Sequence, residues 1–298
     1  MTTLSPNYRK RADRSFMLFL LFPTALFVLA YVYPIAYTFV TSLHEWDGLS
    51  PTWKWIGFAN YAALLESPRF WNALSNNIRW LIFYLIVPTG VGLGLATLLD
   101  EKIKGENIFK VIFFIPFTMT PVAVAAIWKW MYRPGSGVFS SVGAHLGLSN
   151  QNWLGDPSIV SFSIMAASLW WTAGFAFLVY FAGLRSIPKE YIEAAQVDGA
   201  KPWTIFWQVT FPLLLPTTVI ILGVSGVEAM RVFDIVQGMT QGGPFHSSEV
   251  LATFVYDTSF ARFEMGKGAA IAVTLMALAC AVILPYILYI SGRIEERD

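Results

Sequence analysis

The run WLIFYLIVPTGVGLGLATLL (80–99) decides the fold class, because its twenty consecutive residues include no charged side chain. A helix of that length rises about 30 Å, which matches the hydrocarbon thickness of a bilayer. Lipid offers no partner to an unpaired backbone amide, so a crossing segment has to be helical or part of a closed barrel. The run therefore predicts a transmembrane helix.

Five further apolar runs of similar length occur along the chain. With the first, the predicted spans are 16–41, 78–99, 110–131, 159–183, 213–237 and 266–291. Over the 298 residues, 56% are hydrophobic and 13% are charged, against roughly 25% charged in a typical soluble domain. The first run is too long for the apolar part of a signal peptide, and we expect it to be retained. The sequence predicts an all-α integral membrane protein with six transmembrane helices in one domain, residues 1–298.

Lysine and arginine set the expected orientation, because cytoplasmic segments carry an excess of them. With the N-terminus inside, twelve of the twenty cationic residues fall on cytoplasmic segments. The segments 44–58 and 133–157 then lie outside. They are rich in aromatic residues, which suits anchoring at the membrane interface or docking of an external partner. We therefore expect both termini in the cytoplasm (N-in, C-in).

Several residues in the predicted spans bear on packing. Gly90, Gly92 and Gly94 are expected to let neighbouring helices approach closely. They are not a dinucleotide-binding fingerprint, because no strand precedes them and their spacing differs from it. Pro121 is expected to kink the third span.

The longest predicted cytoplasmic segment, residues 185–212, has the pattern of two short helices joined by a turn. Pro188 suits the first turn of a helix over 189–197, which contains good helix formers. Gly199 suits the turn at its end, since glycine readily takes a positive φ. A second proline then opens another helix, predicted over 203–210.

Within that segment, YIEAAQVDGAKPW (191–203) combines small residues with one prominent acid. Ala194 and Ala195 leave room for another surface, and Glu193 offers that surface a carboxylate for a charge-assisted hydrogen bond. The pattern suits a docking element, and it equally suits an amphipathic connector lying on the membrane.

EAAQVDGA followed by FWQVTFPLLLP resembles the EAA motif of permease subunits of ATP-binding-cassette (ABC) importers. WIGFANYAALLESPRFWNAL, IFFIPFTMTPVAVAAIWKWMY and MTQGGP resemble the sugar-permease branch of that family, so the resemblance covers nearly the whole chain. It implies a type I ABC importer permease fold whose EAA loop docks into the cytoplasmic ATPase. The implied coupling residues are Glu193, Ala194, Ala195, Asp198, Gly199 and Ala200, with Glu193 pairing with an ATPase arginine.

The resemblance also implies a set of partners. These are a second homologous permease subunit, two cytoplasmic ABC ATPase subunits, an extracytoplasmic solute-binding protein, the lipid bilayer and a sugar substrate. The implied location is a bacterial inner membrane, which the chain crosses several times. No cofactor is implied.

Three charged residues in the fifth predicted span, Glu228, Arg231 and Asp234, are expected to mark a polar element of the bundle. Each costs roughly 2.5–3.5 kcal/mol at the centre of a membrane helix on insertion scales. Their i, i+3, i+6 spacing would place them along one side of a continuous helix, facing the interior. They suit either a substrate pathway or a structural pairing of helices.

In the fourth predicted span, Trp171, Thr172 and Phe175 share one helical face. Aromatic rings of this kind suit the C–H faces of a sugar, although helix packing explains them equally well. By resemblance, the sugar site of maltose-type permeases lies on the fourth and fifth spans, near Thr172, Phe175, Glu228 and Ala229. An acid and an alanine here replace an aromatic and an amide of that pattern.

The sequence excludes several other kinds of chemistry. No GxxxxGK[ST] run and no nucleophile–base set occurs, so we expect a non-catalytic subunit driven by a partner. The single cysteine and the scattered histidines favour no metal site, and the net charge of +1 does not suggest nucleic acid. Two alternatives stay open: an ion-coupled secondary transporter using Glu228 and Asp234, and a polytopic membrane enzyme or scaffold.

Overall fold

The fold is almost entirely helical. The structure is a computed structural model that describes residues 19–100, 105–145 and 151–295. Its helices are α1 (Phe19–Ser42), α2 (Ala59–Glu66), α3 (Pro68–Asp100), α4 (Glu106–Phe114), α5 (Pro121–Met131), α6 (Val138–His145), α7 (Val160–Ser186), α8 (Lys189–Val197), α9 (Pro202–Leu213), α10 (Leu215–Met230), α11 (Asp234–Met239), α12 (Leu251–Tyr256) and α13 (Met265–Glu295). Two short antiparallel strands, β1 (His44–Glu45) and β2 (Lys54–Trp55), form a hairpin. Residues 16–18 of the first predicted span lie outside the described residues.

Four helices of the described chain, α1, α3, α7 and α13, are long and apolar enough to cross a membrane. Two further candidates are helix pairs bent at a short break, α4 with α5 and α9 with α10, so the total is four spans or up to six. The candidates coincide with the six predicted runs, although α3 begins at Pro68 rather than at 78. The prediction of a multi-pass helical membrane protein is confirmed, while the number of spans depends on how the bent pairs are counted.

The third span bends where the sequence predicts it. A 3₁₀ segment, Ile115–Thr118, continues α4, and the chain then turns by 102° into α5. Pro121 is the first residue of α5, and Thr120 before it is extended, with ψ 146°. A residue that precedes proline is disfavoured in the α region, which explains why the helix cannot run straight through.

The fifth span differs from the single helix predicted over 213–237. Helices α9 and α10 meet at a bend of 66°, and α10 ends at Met230. Phe233 leaves the helical region, with φ −137° and ψ −62°, and α11 begins only at Asp234. No proline or glycine lies at this break, so no local sequence signal predicts it.

Close packing of α3 against α7 forms much of the core. A Cβ atom on Gly92 would lie 2.5 Å from Cβ of Ala176 and 2.6 Å from the backbone nitrogen of Phe177, so only glycine fits there. Gly90 and Gly94 have no such neighbour within 4 Å. The packing expectation is therefore met at one of the three glycines. Because lipid is as apolar as these side chains, close van der Waals contact is what favours such a helix pair in a membrane.

The described residues group into two compact units, 19–64 with 257–273 and 65–256 with 274–295. In the first unit the hairpin lies close to the start of α13, where Gly266 donates its backbone N–H to the Trp46 carbonyl at 3.0 Å. The Ser50 hydroxyl, with the backbone N–H groups of Ser50 and Leu49, donates to Asp47 and lowers its carboxyl pKa to about 2. The expectation of one domain over residues 1–298 stays a prediction.

Candidate functional site: an exposed pair of helices and a polar cavity

The predicted first helix of the 185–212 segment is confirmed as α8, Lys189–Val197. Gly199 has φ +77°, and its N–H donates to the Gln196 carbonyl at 3.0 Å. The Ala200 N–H donates to the Ala195 carbonyl at 3.0 Å. These two bonds form a Schellman motif, which satisfies the last carbonyls of the helix and fixes the turn without help from the rest of the protein.

The second helix of the segment is longer than predicted. Instead of 203–210, α9 runs from Pro202 to Leu213, with a π-helical turn over Phe206–Thr210. Pro202 is its first residue, where a missing N–H has no cost. The π-helical turn ends at Thr210, the predicted end, and the helix continues beyond it over Phe211–Leu213.

The surface of α8 and the turn is exposed. No residue of α8 is buried, and the Glu193 and Ala194 side chains are open to solvent, while Ala195 is half-buried. Large apolar side chains stand beside them: Val197 is 88% exposed and Trp203 is 72% exposed. An ordered segment that presents a carboxylate, alanines and apolar side chains can dock against a partner protein.

A second candidate site is a cavity of about 110 Å³ beside the break in the fifth span. Its lining includes Trp171 from α7 and the three predicted charged residues, Glu228, Arg231 and Asp234. Tyr84 and Pro121, which no sequence pattern marks as pathway residues, also line it. The structure therefore brings together four of the six predicted pathway residues.

The three charged residues do not lie along one continuous helix, which corrects the expectation drawn from their spacing. Glu228 is in the last turn of α10, Arg231 follows the helix end, and Asp234 begins α11. The Arg231 Nη1 to Glu228 Oε1 distance is 3.8 Å, and the Arg231 side chain is 73% exposed. This long Arg231–Glu228 distance leaves both groups able to bind a polar ligand in the cavity.

Thr172 and Phe175 are not among the residues that line this cavity. The Thr172 hydroxyl donates to the Ser168 carbonyl at 2.8 Å, within its own helix. Phe175 and Trp171 both pack against Phe117, with ring centroids 5.4 and 6.5 Å from it, respectively. Phe117 therefore joins this aromatic face to the bent third span, which helical spacing on α7 could not reveal.

A buried ion pair, which is not part of either candidate site, joins α3 to the segment that precedes α12. Arg69 Nε and Nη2 donate to the two carboxylate oxygens of Glu249 at 2.7 and 2.6 Å. The side chains are 17% and 2% exposed, and the guanidinium lies 4.3 Å from the centre of the Phe254 ring. The Asn76 amide adds hydrogen bonds to the carbonyls of Ser247 and Glu249. Sequence reasoning missed this anchor, because its partners are far apart along the chain.

Several helices that are long and apolar enough to span a membrane define a multi-pass helical membrane protein, which has a polar cavity beside a broken span and an exposed pair of helices. Residues 86–293 match the family described as the binding-protein-dependent transport system inner membrane component. A probable ABC transporter permease protein of Pyrococcus horikoshii is 36% identical over 292 residues, which cover 97% of this chain and 100% of that protein. The chain therefore belongs to this family of ABC transporter permeases.

Two further comparisons extend that result. The trehalose/maltose transport system permease protein MalF of Thermococcus litoralis is 30% identical over 269 residues, covering 90% of this chain and 91% of that protein. The solved structure of a bacterial ABC transporter involved in the import of the acidic polysaccharide alginate matches with a TM-score of 0.81. That match has 23% identity and covers 97% of this chain and 99% of that one. It confirms the predicted importer-permease fold.

Proposed function

We propose that this chain is the permease subunit of an ATP-driven importer that moves a sugar from an extracytoplasmic solute-binding protein into the cytoplasm. Family membership supports the importer class, and the names of relatives such as the trehalose/maltose permease and the xylose/arabinose import permease XacH of Haloferax volcanii support the sugar. The location is the cell membrane, which is the inner membrane where a cell has two.

The observation that carries the proposal is the exposed pair of helices at 185–212. Its geometry is fixed internally by the turn at Gly199, and α8 has no buried residue, so its surface is free for a partner. We assign the segment to docking with the ATPase, with Glu193 pairing with an arginine and Ala194 and Ala195 allowing close approach.

In the proposed transport cycle, the closing of the cytoplasmic ATPases is coupled to the opening of the spans on the outer side of the membrane. ATP binding closes two ATPase subunits, and the 185–212 segment moves with them. The spans then open outward, the binding protein releases solute into the cavity, and hydrolysis on the ATPases restores the inward-open state. Ligands on each side thus bias two conformations, as in other alternating systems. A second, homologous permease completes the pathway, because one such bundle supplies half of a two-fold channel.

The polar cavity supplies the solute contacts in this proposal. The carboxylates of Glu228 and Asp234 accept hydrogen bonds from sugar hydroxyls, and the Arg231 guanidinium donates to them. The Trp171 ring offers a flat apolar face to sugar C–H groups. Thr172 and Phe175, which lie on the adjoining face of α7, are assigned to the wall of the pathway. The ion-coupled alternative uses the same acids as coupling sites, whereas the family match and the ABC permease of Pyrococcus horikoshii support ATP-driven transport.

The test reverses one charge on the docking surface. In Glu193→Lys we expect ATPase subunits to co-purify about tenfold less and uptake to fall with them, because repulsion replaces a charge-assisted pair. Glu190→Lys makes the same charge change on the same exposed helix and should retain both. If Glu193→Lys keeps its ATPase subunits and its coupled uptake, the assignment is wrong. If both variants lose them equally, the effect belongs to net charge and not to Glu193.

A further inference from the structure

Helices α3 and α7 enclose a groove of about 480 Å³ that the proposed pathway does not use. Four apolar residues from each helix line it, and Arg79 is the one polar residue of the lining. Ile82 and Ile86 on α3 and Phe162 and Ala166 on α7 are exposed there. We call this surface the α3–α7 groove.

The α3–α7 groove lies on a different side of α7 from the pathway face. Its α7 residues are spaced i, i+3, i+4 and i+7, which defines a single helical face. At 3.6 residues per turn, Trp171 lies roughly 180° around the helix from Phe162. The groove is therefore not an extension of the polar cavity.

Arg79 stands at one end of the groove, directly before the uncharged run 80–99. The groove extends from Arg79 to Val87, eight residues along α3, or about 12 Å. One guanidinium nitrogen, Nη1, donates to the Asn76 carboxamide oxygen at 3.2 Å. The other N–H groups of the fork remain available for an anion.

No carboxylate lies within ion-pair distance of Arg79 anywhere in the described ranges, in contrast to Arg69 and Arg262. Arg69 is paired with Glu249, and Arg262 with Asp257 at 2.9 Å. A guanidinium at the edge of a membrane span is strongly favoured to meet an anion, because it keeps its charge at all relevant pH values.

We propose that the α3–α7 groove holds one phospholipid, whose phosphate accepts hydrogen bonds from Arg79 and whose acyl chain lies between α3 and α7. The fork of N–H donors matches phosphate oxygens, and the rest of the lining offers only apolar side chains. The chain spans the membrane, so phospholipid surrounds these helices at high concentration. A free phosphate or a soluble anion would leave the apolar length of the groove unfilled.

The occupant can be identified with a photo-cross-linking amino acid at Ala166, whose side chain is exposed in the groove. The complete importer would be reconstituted in nanodiscs of phosphatidylglycerol and phosphatidylcholine and illuminated. The mass of the cross-linked chain would then be measured by mass spectrometry. An adduct with the mass of a phospholipid is expected. An adduct with a polypeptide, such as a helix of the second permease, or no lipid adduct, would overturn the proposal.

The role of Arg79 is tested on the same complex by counting phospholipids that remain bound after detergent extraction. Arg79→Gln should lower the count by about one phospholipid per chain, since it removes the charge-assisted bonds to the phosphate of the single proposed lipid. Arg133→Gln, a matched change at an exposed arginine outside the groove, should leave it unchanged. Ala166→Trp places an indole ring in the groove without altering its charge and should also lower the retained lipid. Equal retention in wild type, Arg79→Gln and Ala166→Trp would refute the site.

Discussion

Two segments of the larger unit, 188–201 and 240–250, join helices in opposite ways. In the first, α8 has no buried residue, and the turn is closed by backbone hydrogen bonds within the segment. In the second, Ser248, Glu249 and Val250 are buried, and hydrogen bonds from α3 reach the chain from outside the segment. The segment 188–201 is ordered by its own sequence, and we call it the self-contained segment. The segment 240–250 is ordered by residues far away along the chain, and we call it the anchored segment.

Of the two segments, 188–201 is the one suited to docking with a partner protein. A segment that needs no neighbours to hold its shape can move as a body and present its whole surface to another protein. A segment fixed by a buried ion pair is tied to the helix that supplies its partner, and it resists movement. Substitutions in 240–250 should therefore lower the stability of the protein, whereas substitutions in 188–201 should weaken its contacts with a partner.

The largest effect is expected at the buried ion pair. Glu249→Ala leaves the Arg69 guanidinium buried without its carboxylate, which should cost about 3–5 kcal/mol of stability. Thermal unfolding of the purified protein in detergent measures this. Glu264→Ala breaks a Lys267 pair of 3.1 Å whose side chains are 48% and 42% exposed, and should cost no more than about 1 kcal/mol. Equal losses in the two variants would show that the buried Arg69–Glu249 pair contributes no more to stability than an exposed pair, and would contradict its role as the anchor of 240–250.

An intermediate effect is expected at the turn of the exposed pair of helices. Gly199→Ala places a side chain at φ +77° with no clash nearby, so the cost is backbone strain of about 1–2 kcal/mol. Hydrogen exchange of the Gly199 and Ala200 amides should then accelerate about tenfold or more, and coupled uptake should fall.

Gly135 is the matched control, because it also has φ +77° and a Cβ atom added there would meet no other atom within 4 Å. Gly135→Ala should bring the same local strain and leave uptake unchanged. A fall in uptake with Gly135→Ala as large as with Gly199→Ala would show that strain at any turn disturbs transport.

The smallest effect is expected at the rim of the anchored segment. The His246 ring nitrogen Nδ1 lies 3.4 Å from Glu249 Oε2, but the side chain is 46% exposed. His246→Asn tolerates the φ of +61° and should change stability by less than about 1 kcal/mol. Thermal unfolding of this variant and of Glu249→Ala, measured under the same conditions, checks this. A loss of stability as large as that of Glu249→Ala would mean that His246 contributes to the buried ion-pair network.

The sequence predicted best what is determined locally. The limits of α8, the positive φ of Gly199 and the bend at Pro121 all follow from proline and glycine, whose preferences act within a few residues. The break after Met230 was missed because nothing in its own sequence marks it. The prediction of charges along one side of a continuous helix was wrong for that reason.

Contacts between distant residues were beyond such reasoning. Arg69 and Glu249 are 180 residues apart, and neither position has a periodicity that points to the other. Phe117 and Tyr84 likewise reach the candidate sites from other helices. The polar cavity could be anticipated from its charged residues, because ionisable groups in a span are rare. The other residues that line it could be identified only from the folded structure.

Cross-linking at two exposed positions tests whether the segment 188–201 is the surface that docks with the ATPase. A photo-cross-linking amino acid would replace Ala194 in α8 or Phe245 in the anchored segment, where the side chain is 91% exposed. In the intact importer, the Ala194 probe should capture an ATPase subunit, and the Phe245 probe should not. Absence of an ATPase adduct at Ala194, or its presence at Phe245, would contradict the assignment.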